Sequence, residues 1–221
     1  MLKYLCVEQG EIQMDIRSNH IDSSFKCGKN LKIGYNVIIE SDVIIGNNVK
    51  IGHRVTLKSG TRIGDDSIID DHCITTGACY IGNNVNIRTG AIISRATVIE
   101  DYVFIGPGVI TNHTKNITHG RPKIQKTELL TYIGYGSIIG SQASLLAGIK
   151  IDPQVIVGGG SVVVNDLEEM SIYVGSPCKK LSSLPEHYKI KLPINAGKMY
   201  ATDEVLNHLT EYMKHLIIRE I

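Results

Sequence analysis

Leu31-Lys-Ile-Gly-Tyr-Asn-Val-Ile-Ile-Glu-Ser-Asp-Val-Ile-Ile-Gly-Asn-Asn-Val-Lys-Ile-Gly52 decides the fold. An aliphatic residue recurs at every sixth position, Ile33, Ile39, Ile45 and Ile51, and a second apolar residue stands two before each, Leu31, Val37, Val43 and Val49. Working outward, the frame continues through Leu57, Ile63, Ile69, Thr75, Ile81, Ile87, Ile93, Ile99 and Ile105, and resumes at Ile133, Ile139, Leu145, Ile151, Val157 and Val163. A period of six is neither the 3.6 of a helix nor the two of a continuous strand. It is the period of a parallel β-helix built from hexapeptides. Strand side chains alternate in and out, so the aliphatic residue and its partner two back both point inward. Asn47-Asn48, Asp65-Asp66, Asn83-Asn84 and the glycines suit corners, because these residues tolerate positive φ. Three hexads close one triangular coil, so residues eighteen apart stack vertically at the ordinary strand spacing of about 4.8 Å. The alternative, a β-sandwich of many short strands, has turns of varying length that break the phase. Spacing alone leaves handedness to the rule that parallel crossovers are right-handed.

The 221 residues allow one elongated domain plus appendages. A net charge of +1 carries no nucleic-acid signature. The absence of an 18-residue apolar run predicts no membrane span. The opening residues lack a signal-peptide apolar region and cleavage site. The five cysteines, Cys6, Cys27, Cys73, Cys79 and Cys178, are odd in number and scattered, and read as buried reduced thiols. A cytoplasmic location is expected.

Residues 1–20 lack the repeat and are expected to form a short cap, a strand pair over the open end of the prism. The β-helix is expected over 21–181, with an excursion loop at 112–132. The spacing of 22 from Thr111 to Ile133 reads as one coil plus four residues. A regular solenoid that tolerates an excursion at one place usually uses it. The C-terminal extension, 182–221, begins irregularly through Pro185, Pro193 and Gly197. From a Thr202 or Asp203 cap, the apolar stripe Val205, Leu206, Leu209, Tyr212, Met213, Leu216 and Ile217 predicts a helix over about 203–219, packed on the prism or on a neighbouring subunit.

Stacking by eighteen sets Ser94 under Asn112 and Arg95 under His113, on one corner where the loop leaves. Glu100 and Asp101 are expected on the preceding corner, where an oligomer brings them opposite a neighbour's loop, and His119 and Arg121 ride on the loop.

Three stretches, Gly134-Tyr-Gly-Ser-Ile-Ile-Gly-Ser-Gln-Ala-Ser-Leu-Leu-Ala-Gly148, Val157-Gly-Gly-Gly-Ser-Val-Val-Val-Asn-Asp166 and Ile172-Tyr-Val-Gly-Ser-Pro-Cys-Lys-Lys180, join the repeat in one comparison. With them the chain resembles the left-handed β-helix acyltransferases of the hexapeptide-repeat family over about residues 21–181. The resemblance implies left-handed coiling, so the expected fold is an all-β solenoid, a left-handed parallel β-helix, with the short N-terminal cap and C-terminal α-helical tail read above from the residues. It also implies a homotrimer and acetyl-CoA or another acyl-CoA as donor, with no metal. Val103-Phe-Ile-Gly-Pro-Gly-Val-Ile-Thr-Asn-His113 is most similar to the nucleotide-linked amino-sugar N-acyltransferases, whose asparagine falls on His113 in phase and on Asn112 after a one-residue shift. Another sugar acyltransferase subgroup has a histidine–aspartate pair where this chain has Arg95-Ala96, which disfavours that mechanism.

The expected reaction is attack of a sugar amine on a thioester. A neutral imidazole at His113 takes the amine proton, and Arg95 disfavours the imidazolium. Asn112 orients the amine or a hydroxyl. Ser94, Arg95, Glu100, Asp101, His119 and Arg121 are the expected substrate contacts. By carry-over, Ser141, Ala143, Gly159 and Gly160 line the coenzyme A groove, and Lys179 and Lys180 meet its phosphates. The alternatives are an O-acyltransferase on serine, a polysaccharide or a small-molecule hydroxyl, a zinc lyase on the same fold, and a scaffold without catalysis. The zinc reading is disfavoured because His53 and His72 are nineteen apart, not eighteen.

Overall fold

The computed structural model describes residues 3–7, 10–14, 18–194, 196, 202–213 and 216–218. Two-residue strands follow one another round three walls, and each strand pairs in parallel with those above and below it. The first wall runs through Lys32–Ile33, Lys50–Ile51, Ile68–Ile69, Asn86–Ile87, Phe104–Ile105, Ile138–Ile139 and Ile156–Val157. The second runs from His20–Ile21 through Ile92–Ile93 and Ile110–Thr111 to Val162–Val163. The third runs from Lys26–Cys27 through Thr97–Ile99 and Thr131–Ile133 to Lys150–Ile151. Ile33, Ile51, Ile69, Ile87 and Ile105 lie in register, eighteen apart. This is a left-handed parallel β-helix.

The frame residues fill the prism. Ile39, Leu57, Ile81, Ile99, Ile105, Ile133 and Leu145 are fully buried in one continuous core. Each such side chain contributes about 1.5–3 kcal/mol of burial. Thr75 and Thr111 hold inward positions because each hydroxyl finds a partner, Thr61 at 2.7 Å and Thr97 at 3.0 Å. Corners recur in the left-handed region at Asn30, Asn48, Asp66, Asn84 and Tyr102. Beside them runs a vertical side-chain ladder: Asn47 Oδ1, Asp65 Oδ1, Asn83 Oδ1 and Asp101 Oδ1 each accept the backbone N–H one coil below. Cys73 and Cys79 point inward from different walls as free thiols.

Ile105 pairs with Ile139, and Thr97 with Thr131. The separation is 34, one coil of eighteen plus sixteen inserted residues. The expected arithmetic of a coil plus four is therefore corrected: the step from Thr111 to Ile133 is a single hexad carrying the insertion. The coil stays closed because Leu129 N–H donates to His113 O and Thr131 N–H to Ala96 O, returning the chain to the corner it left.

Helix α1, Asp203–Tyr212, is capped by the Thr202 hydroxyl, which accepts Val205 N–H. It covers the third wall, burying Val205 and Leu209 against Ala78, Val98, Leu130 and Tyr132. His208 pins it, with Nε2 at 2.7 Å from Gly60 O and Nδ1 at 3.2 Å from Arg62 Nη2. The helix ends at Tyr212, short of the expected 219. Met213 is extended, and Leu216–Ile217 forms a strand parallel to Glu128–Leu129. Backbone pairing satisfies the edge of the returning loop, which a longer helix would leave open. At the N-terminal end Lys3–Val7 and Gly10–Met14 pair antiparallel and join the first wall through Gln13 and Lys32. At the other end Ser171–Gly175 and Cys178–Ser183 close the same wall as a hairpin.

Candidate functional site

The corner between the second and third walls carries a cluster of charge. Arg95 follows the strand Ile92–Ile93 and His113 follows Ile110–Thr111, so coil stacking sets one side chain above the other. Arg95 Nε donates to His113 Nε2 at 2.9 Å. Arg95 Nη2 donates to Glu128 Oε1 at 2.6 Å, and Lys126 Nζ lies 2.6 Å from the same oxygen. His113 Nε2 is 3.9 Å from it. Glu128 is buried, its side chain only 3% exposed, while Arg95, Lys126 and His113 reach the surface. Gly77 makes room beneath: a Cβ there would come within 3.1 Å of Arg95 Cβ.

Burial and the Arg95 charge hold the His113 imidazole below its ordinary range, against the pull of Glu128. Burial pushes the Glu128 carboxyl up, but the Lys126 hydrogen bond and the Arg95 charge outweigh it and hold it below the usual carboxylate range. The ring is therefore neutral near pH 7 and the carboxylate ionised. In a neutral imidazole one nitrogen donates and the other accepts. Here Nε2 accepts from Arg95, so the proton sits on Nδ1.

A cleft of about 650 Å³ opens beside the cluster. Asn112, Leu146 and Val164 form its corner side, Thr114, Lys115, Ile117, Thr127 and Leu129 its loop side, and Ile217 comes from the C-terminal strand. A smaller concavity of about 430 Å³ lies on the first-to-second corner, lower in the solenoid, lined by Tyr35, Asn36, His53, Arg54, Asp71 and His72. There the Tyr35 and His53 rings stack at 5.2 Å, and Arg54 Nη1 is 3.5 Å from His72 Nε2.

Of the residues expected from the sequence, Ser94, Arg95, Asn112 and His113 gather on this corner. Ser94 is buried and its N–H donates to Thr111 Oγ1. The Asn112 amide is already committed, donating to Leu145 O at 2.9 Å, so its side chain ties coils together at the edge of the cleft. Glu100, expected at the surface, is instead fully buried, receives the Tyr132 hydroxyl and accepts Tyr135 N–H at 2.7 Å. Asp101 is a rung of the ladder, accepting Asn83 N–H at 2.6 Å. His119 and Arg121 lie exposed on the loop, with Arg121 Nη1 donating to His119 O. Ser141, Gly159 and Gly160 are exposed on the first-to-second corner. Gly160 has φ +68° and nothing within 4 Å of an added Cβ. Ala143 is corrected to a core position, because it holds the inward site two before Leu145. Lys179 and Lys180 are exposed on the terminal hairpin, with Lys180 3.3 Å from Glu168.

Sequence reasoning missed Glu128, Lys126 and Ile217. The available signal for Glu128 was a carboxylate immediately before Leu129-Leu130, where the apolar pattern returns. Among the described residues no three His, Cys, Asp or Glu side chains converge as metal ligands, and no helix is long and apolar enough to cross a membrane.

Two solved structures share the fold at low identity. The polySia specific acetyltransferase NeuO is 16% identical, with a TM-score of 0.52, over 90% of this chain and 94% of its own. The UDP-N-acetylglucosamine acyltransferase from Campylobacter jejuni is 19% identical, with a TM-score of 0.50, over 75% of this chain and 73% of its own. Serine acetyltransferase 2 of Arabidopsis thaliana is 31% identical over 110 residues, 50% of this chain and 32% of that protein. The chain thus spans about a third of the length of the curated relatives it matches. Residues 16–126, just over half of the chain, match the family described as the GMPPB C-terminal domain, and the chain belongs to that family.

Proposed function

We propose that the chain is a coenzyme A-dependent N-acyltransferase that acts as a homotrimer on the amino group of a nucleotide-linked amino-deoxysugar, with acetyl-CoA or another acyl-CoA as donor. The observation that carries this reading is the stack of His113 on Arg95, anchored by the buried Glu128, beside the loop-lined cleft. It is a neutral imidazole held in a fixed orientation at the edge of a cleft, where it can hydrogen-bond a reacting group. The C–N bond forms as the C–S bond breaks, and the amine proton leaves with the thiolate as free thiol. Alignment of two bound substrates supplies about 7–11 kcal/mol, more than the roughly 3–5 kcal/mol from a proton-transfer group.

Wall coverage supports the trimer. The third wall is sealed by α1. The second keeps an outward apolar stripe through Ile38, Ile74, Ile92 and Ile110, with Ile38 40% and Ile110 41% exposed. Three copies meeting through second walls set the His113 corner of one against the Ser141–Gly160 corner of the next. Coenzyme A then fits that groove, its pantetheine arm against Gly159 and Gly160. Arg54 and His72, three and two coils below His113 on the facing corner, are suited to the acceptor's phosphates. Two to three coils span about 10–14 Å, the reach of a nucleotide-linked sugar.

The test is thiol release from acetyl-CoA with a panel of nucleotide-linked 3- and 4-amino sugars against serine and sugar hydroxyl acceptors, with the mass measured by light scattering. Amine-dependent release by a trimer is expected. Release with hydroxyl acceptors alone, or a catalytically active monomer, overturns the reading.

A further inference from the structure

The notable feature of the cluster is which nitrogen of His113 Arg95 occupies. Arg95 Nε is an obligate donor, so the His113 Nε2 lone pair, the one a general base would use, is already taken at 2.9 Å. Among the described residues Nδ1 has no hydrogen-bond partner. The arginine is held in turn. Its Nη2 meets Glu128 at 2.6 Å, and Lys126 meets the same oxygen. Glu128 sits on backbone fixed from three sides: a bridge to Thr114, the Leu129 N–H bond to His113 O, and parallel pairing with Leu216–Ile217. Glu128 therefore carries the alignment of the loop and the C-terminal strand into the corner.

We propose that Glu128 and Arg95 are positioning residues that lock His113 in its Nδ1–H tautomer, so that His113 serves the reaction as a hydrogen-bond donor rather than as a proton acceptor. The inference rests on the acyltransfer reading and deepens it. A donor at Nδ1 is suited to the thioester oxygen as it gains charge, where removing one such donor costs about 10²–10³-fold in turnover. The carboxylate at 3.9 Å explains why the arginine is needed. Without Arg95, Glu128 Oε1 would draw a proton onto Nε2, and the ring would switch to the other tautomer or to imidazolium.

The first experiment needs no substrate. Long-range proton–nitrogen NMR on histidine-labelled full-length protein distinguishes the two tautomers. The Nδ1–H form is expected for His113 in the wild type, and Arg95→Met and Glu128→Gln are expected to raise the Nε2–H or imidazolium population. An Nε2–H ring in the wild type overturns the proposal while leaving the acyltransferase reading intact. An unchanged tautomer in both variants overturns the positioning roles. The second experiment is kinetic. An asparagine amide at position 113 reproduces a donor near Nδ1 and a glutamine amide one near Nε2. His113→Asn is therefore expected to keep turnover within about 10-fold, whereas His113→Gln and His113→Ala lose about 100-fold at little-changed KM for acyl-CoA. Equal losses in Asn, Gln and Ala overturn the donor role. Resonances of the other histidines monitor folding, and wild-type protein inactive toward every amine fails the acyltransferase reading while leaving the tautomer measurement standing.

Discussion

Tyr132→Phe tests whether Glu100 belongs to the framework. Tyr132 is 1% exposed, on the outward face of the third wall beneath α1, and its hydroxyl donates to the Glu100 carboxylate. Glu100 is itself fully buried, and its second oxygen accepts Tyr135 N–H at 2.7 Å. The substitution removes one hydroxyl and one bond to a buried charge, worth about 1.5–3 kcal/mol. For a chain of this length each kcal/mol lowers Tm by about 2–4 °C, so a fall of about 3–12 °C is expected. A solenoid loses stability locally, so circular-dichroism melting is paired with hydrogen exchange at the Tyr135 amide, which should exchange faster. The KM for acceptor should not change, because Glu100 is fully buried and both its oxygens are engaged within the solenoid. An unchanged Tm with unchanged exchange at Tyr135 would refute the argument. A raised acceptor KM with wild-type Tm would return Glu100 to the substrate.

Gly46→Ala should lower the urea midpoint by the equivalent of about 1–3 kcal/mol, since its Cβ would collide with Asp65 Oδ1 and come within 2.8 Å of Asp65 N, and an unchanged midpoint would show that the ladder yields freely. Burial holds both His113 and His208 below their ordinary 6.5, with Arg95 adding to the shift in one and Arg62 in the other while Glu128, or Glu211 and Asp42, oppose it. The unfolded chain therefore binds protons first as pH falls, so this stability is fully present above about 6.5 and is lost below it. Urea midpoints measured across that range should fall on acidification, and a flat profile would contradict the burial of both rings. Burial pushes the Cys73 thiol up to about 11 and the Cys79 thiol up to about 12. Neither should react with a disulfide reagent before unfolding, and labelling of the native protein at either would show the prism to be open.

The sixfold period made the solenoid legible, because inward-facing positions depend only on local alternation and every coil repeats the same decision. It also made Arg95 and His113 neighbours, since eighteen residues return the chain to the same corner. Periodicity misled in the length of the excursion and where position along the frame was taken for exposure. Glu100 and Asp101 follow the strand Thr97–Ile99, where a buried tyrosine from the next coil and a ladder rung from the one below claim both carboxylates. Ala143 holds an inward site for the same reason that Val109 does one coil below.

The sequence by itself determined the repeat, the corner residues, the stacked pair and the existence of an excursion, because each follows from short-range spacing. The tertiary structure alone decided which residue of the excursion returns to that pair and what braces it. Residues 112–130 have no period to count, so the meeting of Glu128 with Arg95 depends on the path of the loop. The change from helix to strand after Tyr212 depends on an open backbone edge far away in the chain. Long-range pairing of that kind is set by what remains unsatisfied once the solenoid has closed.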